Sequence, residues 1–133
     1  MQIKNVQSPE QLFSLAETIH EFLKEEVHTD DIEVAVERGH KLAAYMANTG
    51  KALADAKYWK DQAVSNSVLS RLRDTRAMNL PASVLNELIK AETKDHNYLV
   101  NWFDRLDKEC THQLDWLRTC ISKEKTQMQY QPR

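Results

Sequence analysis

From Ile32 to Leu72 no proline interrupts a pattern in which apolar or small residues return every three or four positions: Ile32, Val36, Gly39, Ala43, Met46, Gly50, Leu53, then Val64, Val68 and Leu72. This spacing places them on one stripe of a helix over about 31–75. At 1.5 Å per residue such a helix is roughly 67 Å long. A rod of that length cannot bury its stripe within its own turn of chain, so it needs a partner of comparable length. The rest of the sequence supplies one. Leu85, Leu88, Leu99, Trp102, Phe103, Leu106, Cys110, Leu114, Leu117 and Ile121 carry the same periodicity, which fades near Lys125. They predict a second long helix over about 81–126. With 2 Gly and 3 Pro among 133 residues, little of the chain is left for turns. A fold of many short strands is excluded on that ground.

A third, shorter helix over about 9–27 precedes the long pair. Ser8-Pro9-Glu10-Gln11 has a capping serine, a proline at the first helical position and a glutamine that completes a capping box. Leu12, Leu15, Ala16, Ile19, Phe22, Leu23 and Val27 then form an apolar stripe. His28-Thr29-Asp30-Asp31 breaks it and offers caps to the next helix, while Asn79 and Pro81 open the last one. The expected fold is all-α: a long antiparallel hairpin braced at one end by the N-terminal helix, with a coiled-coil arm at the other. The whole chain, 1–133, reads as a single helical domain with flexible tails at 1–7 and 127–133. Gly39 and Gly50 lie on the stripe with Ala43, Ala47 and Ala54, and are read as a seam of small residues where two backbones approach closely.

A turn near 76–80 brings together positions whose numbers total about 157, setting Leu72 by Leu85, Val68 by Leu88, Leu53 by Phe103, Ala43 by Leu114 and Val36 by Ile121. The short helix covers only the half containing 31–50 and 106–125, leaving roughly 52–105 as a bare two-helix arm. Trp59, Val64, Val68, Leu72, Leu85, Leu88 and Trp102 exceed what one helix–helix seam covers, and an exposed apolar patch of about several hundred Å² is rare on soluble monomers. The expected consequence is self-association through the arm, most simply as a homodimer with a four-helix section. A break near Ser65-Asn66-Ser67, folding the arm back into a compact monomer, is the alternative.

On a 100° wheel, Glu92, Asp95 and His96 fall on the stripe of the last helix, and Lys57 and Asp61 on that of the middle one. The register brings Lys57, Lys60 and Asp61 opposite Glu92, Asp95 and His96. Charges on a core stripe must pair or reach water. A paired layer that fixes register is one reading; a binding or acid–base site using His96 is the other.

Charge is unevenly spread: residues 1–37 hold nine acids against Lys4 and Lys24, and the remaining 96 residues carry a net +5. The sequence pI of about 6.2 is far below that of a dedicated nucleic-acid domain. Arg71, Arg73 and Arg76 nevertheless cluster at the expected hairpin tip and could hold phosphates or an acidic partner. Three Glu-x-x-His pairs (Glu17/His20, Glu37/His40, Glu109/His112) bring a di-metal bundle to mind, but on the wheel each pair has a member facing solvent. Cys110 and Cys120 lie roughly 15 Å apart along one helix, too far for a disulfide. There is no Cys-x-x-Cys pair and no phosphate-cradling glycine loop. No apolar run reaches the roughly 18 residues of a membrane span, and no charged-then-apolar leader opens the chain. The functional expectation is a non-enzymatic, cytoplasmic adaptor or regulatory protein with no cofactor and no metal. It pairs with itself, with another protein as a further partner, and has no membrane association; the alternatives are a weak nucleic-acid-associated protein using the arginine tip and, more remotely, a di-metal helical-bundle enzyme.

Overall fold

The computed structural model describes residues 5–27, 30–74 and 79–130, and every element among them is helical. Four helices follow in order: α1 (Pro9–Leu23), α2 (Ile32–Arg73), α3 (Ala82–Glu92) and α4 (Lys94–Tyr130). The long helices α2 and α4 pack side by side as an antiparallel hairpin, and α1 lies against both. The Thr49–Asp107 and Ser67–Glu92 hydrogen bonds cross the hairpin within two residues of the expected register.

Helix α1 starts as the sequence predicts. Ser8 Oγ accepts from the Gln11 N–H at 3.2 Å, and Gln11 Oε1 accepts from the Ser8 N–H at 3.0 Å. It ends earlier, at Leu23, where the Lys24 N–H turns back to the His20 carbonyl. Val27 still packs against the core from the loop, so its place in the apolar pattern marks burial without helix. Asp31 caps α2 by accepting from the Glu33 and Val34 N–H groups. Of the loop expected at 28–31, His28 and Thr29 lie outside the described residues. Pro81 is the N-cap of α3 with extended ψ of 148°, one place before the first helical position, and no side chain caps that end.

The expected single helix over 81–126 is two helices. Thr93, buried at the junction, has φ −106° and ψ 9°, and its hydroxyl donates to the Ile89 carbonyl at 2.8 Å. Such back-bonding by threonine bends helices. Serines 65 and 67 do not break α2, which continues to Arg73. At the far end α4 runs through Tyr130, past the expected fade at Lys125.

The core is made by Leu12, Ala16, Ile19, Phe22 and Leu23 of α1 with Leu99, Val100, Phe103, Leu106, Cys110 and Leu117 of α4. Helix α2 contributes a different face from the one expected. It buries Ala35, Leu42, Thr49 and Ala56, seven residues apart, with Ala52. The expected stripe through Val36, Ala43 and Gly50 is one residue, or 100°, out of phase; Val36, Ala43, Ala47, Gly50 and Ala54 are exposed. The small-residue seam is therefore not where the glycines are. A Cβ at Gly50 would meet nothing within 4 Å, and one at Gly39 only Leu114 Cδ1 at 3.8 Å. The alanines that α2 does bury, at 35, 52 and 56, belong to the same core as Phe103 and Leu106 of α4. The heptad spacing of 35, 42, 49 and 56 is that of a coiled-coil seam.

Candidate interaction surfaces

The braced part of the hairpin is held by polar contacts. Arg38, only 7% exposed, donates from one terminal nitrogen to the Phe22 carbonyl (2.7 Å) and to Gln113 Oε1 (3.3 Å), and from the other to Glu25 Oε2 (3.1 Å). Its guanidinium carbon lies 3.7 Å from the Phe22 ring centroid. Gln113 Nε2 donates to the Leu23 carbonyl at 2.8 Å. The last two carbonyls of α1 thus accept from α2 and α4, that of Phe22 in addition to its 3.3 Å bond from the Glu25 N–H. The sequence clue was Arg38 itself, the first arginine of the chain, set among acids and too far from the basic cluster at 71–76 to belong to it.

The start of α1 is held as firmly. Asp55, buried, accepts from Lys51 Nζ (2.5 Å) and from the Gln7 N–H (3.1 Å). The Trp59 indole donates to the Gln7 carbonyl at 2.6 Å, and Lys51 also reaches the Asn5 carbonyl at 3.0 Å. Residues 5–7, expected as part of a slack tail, are strapped to α2. Consequently the brace reaches as far as Trp59 and Trp102, which pack against the main core, and the bare arm runs from about residue 60 to 93. The two tryptophans leave the list of arm residues for that reason.

Within the arm, Val64, Leu85 and Leu88 are half-buried between α2 and α3, while Val68 is exposed and Leu72 is 64% exposed. Leu69, Leu80 and Val84 are exposed beside them. Helix α3 is amphipathic, with Val84, Leu85, Leu88 and Ile89 in eleven residues, yet buries none of them fully.

The expected polar layer does not form as drawn. Lys57, Asp61, Glu92 and Asp95 are exposed, with Lys60 and His96 half-buried, and among the described residues no hydrogen bond or ion pair joins the 57–61 group to the 92–96 group. The phase of α2 is the cause: a wheel zeroed on Ile32 turns Lys57 and Asp61 inward, whereas the real seam centres on Ala35 and Leu42. Glu92 does pair across the hairpin, but about two to three turns further along, with Ser67 and Arg71. Arg71 is thereby engaged within the hairpin and Arg73 is exposed; Arg76 lies outside the described residues. The six residues of the Glu-x-x-His pairs are all exposed, and among the described residues no three His, Cys, Asp or Glu side chains gather as a metal would require. Burial pushes the Cys110 thiol up to about 11, with Asp107 and Glu109 adding to the shift and Arg38 opposing it. That leaves it a poor nucleophile.

A second surface follows the outer side of α1 and α4. Phe13, Tyr98 and His20 surround Trp102, with ring centroids 5.5, 5.7 and 6.2 Å from the Trp102 rings. Sequence reasoning missed it because Phe13 is one residue off the α1 stripe; a large aromatic so placed is the signal that was there to read. None of the described helices is long and apolar enough to cross a membrane. Comparison with family models finds no match, and comparisons with curated proteins and with solved structures find no significant match either.

Proposed function

We propose that this chain is a non-enzymatic helical interaction protein, cytoplasmic and regulatory or adaptor-like, that pairs with a second copy of itself through the arm at about 60–93. The observation that carries the reading is α3, an amphipathic helix with no fully buried residue, packed on a length of α2 whose Val68, Leu69 and Leu72 face outward. A second arm laid against the first turns this two-helix section into four helices and gives those side chains an apolar neighbour. Charge favours a copy over another occupant. Residues 60–93 hold five cations and four anions, so arms can lie together without net repulsion, whereas the −7 of residues 1–37 would oppose pairing through α1. Two unbridged cysteines suit a reducing compartment.

The test is sedimentation of the purified chain with Leu69→Asp and Leu72→Glu variants, both at positions already exposed. The wild type is expected at twice the 15.5 kDa chain mass and the variants at the chain mass with unchanged helicity. A wild type that sediments as a monomer at about 100 μM, where micromolar pairing would be complete, refutes the reading.

A further inference from the structure

Outside the arm, α1 and α4 enclose a groove along their solvent side. One part, of about 590 Å³, is lined by Lys24, Trp102, Arg105, Lys108, Glu109 and His112 among others. The other, of about 440 Å³, is lined by Pro9, Glu10, Phe13, Asp95, Tyr98 and Leu99. The rings of Phe13, Tyr98 and Trp102 join the two. From Asp95 to His112 the groove follows α4 for roughly 25 Å, close to five helical turns.

Its charge is polarised along that length. Lys24, Arg105 and Lys108 stand at one end against Glu109, and Glu10 and Asp95 stand at the other. Lys24 is held by Glu21 at 3.0 Å and Lys108 by Asp104 at 2.9 Å, but Arg105 has no hydrogen-bond or ion-pair partner among the described residues, and neither do Glu10 and Asp95. Between these free charges sit Phe13 and Tyr98, 46% and 60% exposed in a fold that buries its other phenylalanines. Aromatic anchors bounded by unpaired charges are the composition of binding hot spots.

We propose that this groove docks an amphipathic helix of another protein, with apolar side chains at three- and four-residue spacing on the aromatic strip, acidic residues against Arg105 and Lys108, and basic residues against Glu10 and Asp95. A small anion would use only the cationic end and leave the rings and the acidic end idle. The occupant is a helix because the groove is open on one side and follows α4 for several turns, the geometry of helix-in-groove recognition.

Two synthetic helical peptides with the same leucine stripe test it by fluorescence anisotropy: one with glutamates at one end and lysines at the other, and one with lysines at both ends. The wild type is expected to bind the first at least about tenfold more tightly than the second, a difference of about 1.4 kcal/mol. Arg105→Glu with Lys108→Glu is expected to reverse the preference, and Phe13→Ala with Tyr98→Ala to weaken the first peptide about tenfold at unchanged helicity. Leu72→Glu in the arm is expected to leave both affinities alone, which separates this surface from self-pairing. Equal affinity for the two peptides, no binding of either, or binding indifferent to Arg105 and Phe13 overturns the proposal.

Discussion

Replacing Arg38 with alanine is expected to loosen α1 from the hairpin, and the structure allows its cost to be worked out. The guanidinium is buried, and its contact with the Phe22 carbonyl is made away from water. Its 2.7 Å bond to the Phe22 carbonyl is charge-assisted, a class worth about 1.5–3 kcal/mol. The 3.3 Å bond to Gln113 is longer and weaker. The ion pair with Glu25 counts for less, about 0–1 kcal/mol, because that carboxylate is 64% exposed and screened. Packing of the cation on the Phe22 ring adds about 1 kcal/mol. Against these, Nε is buried without a partner, and relieving it returns about 1–3 kcal/mol. The alanine also leaves the Phe22 carbonyl with only the 3.3 Å bond from the Glu25 N–H, and a void over the Phe22 ring. The balance is a loss of about 2–4 kcal/mol.

For a chain of this size that is a fall in melting temperature of roughly 7–14 °C. Urea unfolding followed by circular dichroism at fixed protein concentration measures it directly. Arg38→Met, which keeps the apolar stem but none of the donors, is expected to recover only the packing share, about 1 kcal/mol. A loss below about 0.5 kcal/mol for Arg38→Ala, the range of ordinary surface changes, would show that the capping of α1 by Arg38 contributes nothing net and that Gln113 alone holds the helix end.

Two further outcomes follow from residues inside the hairpin. Gly50→Ala, in mid-helix with open space around the new methyl group, is expected to raise stability by about 0.5–1 kcal/mol, and Gly39→Ala to be stabilising as well; destabilisation in the same urea experiment would restore the glycines to a close seam. Because the Cys110 thiol is raised from 9.0 to about 11 in the folded chain, its contribution to stability is intact below pH 9 and is lost as pH rises through 11, at most about 2–3 kcal/mol. Cys110→Ala is expected to remove that share of the alkaline slope, and an unchanged slope would mean the thiol titrates normally.

How much of this could be read from the residues depended on where bulk coincides with burial. On α1 and α4 it does: Leu12, Ile19, Phe22, Phe103, Leu106 and Leu117 are both the large apolar residues and the buried ones, so periodicity located the stripe, the register and the antiparallel hairpin. On α2 it does not. The buried face is Ala35, Leu42, Thr49, Ala52 and Ala56, small enough to admit the bulk of α4, while Val34, Val36, Leu69 and Leu72 face out. A stripe begun at Ile32 and carried through Val36, Ala43 and Gly50 therefore lands 100° away, and the ionic layer drawn on it goes with it. The bend at Thr93 was illegible for a different reason: a threonine that bonds back to Ile89 has the same sequence appearance as one that points to water.

The mismatch on α2 bears on function as well as on prediction. A helix that places alanine and threonine inward gains close contact with α4 but little apolar area, since burial stabilises at about 25 cal/mol per Å² and a methyl group offers few. Toward the arm even that support thins: beyond Trp59 the brace has ended, Ser67 is the one residue of α2 still fully buried, and α3 buries none. An arm assembled this way has little buried apolar area of its own, while its Val68, Leu69, Leu72, Leu80 and Val84 are exposed. The proposed pairing through the arm rests on these two facts together. The substitutions that remove outward leucines should therefore change assembly well before they change the braced end, where Arg38, Asp55 and Gln113 hold α1 by contacts independent of the arm.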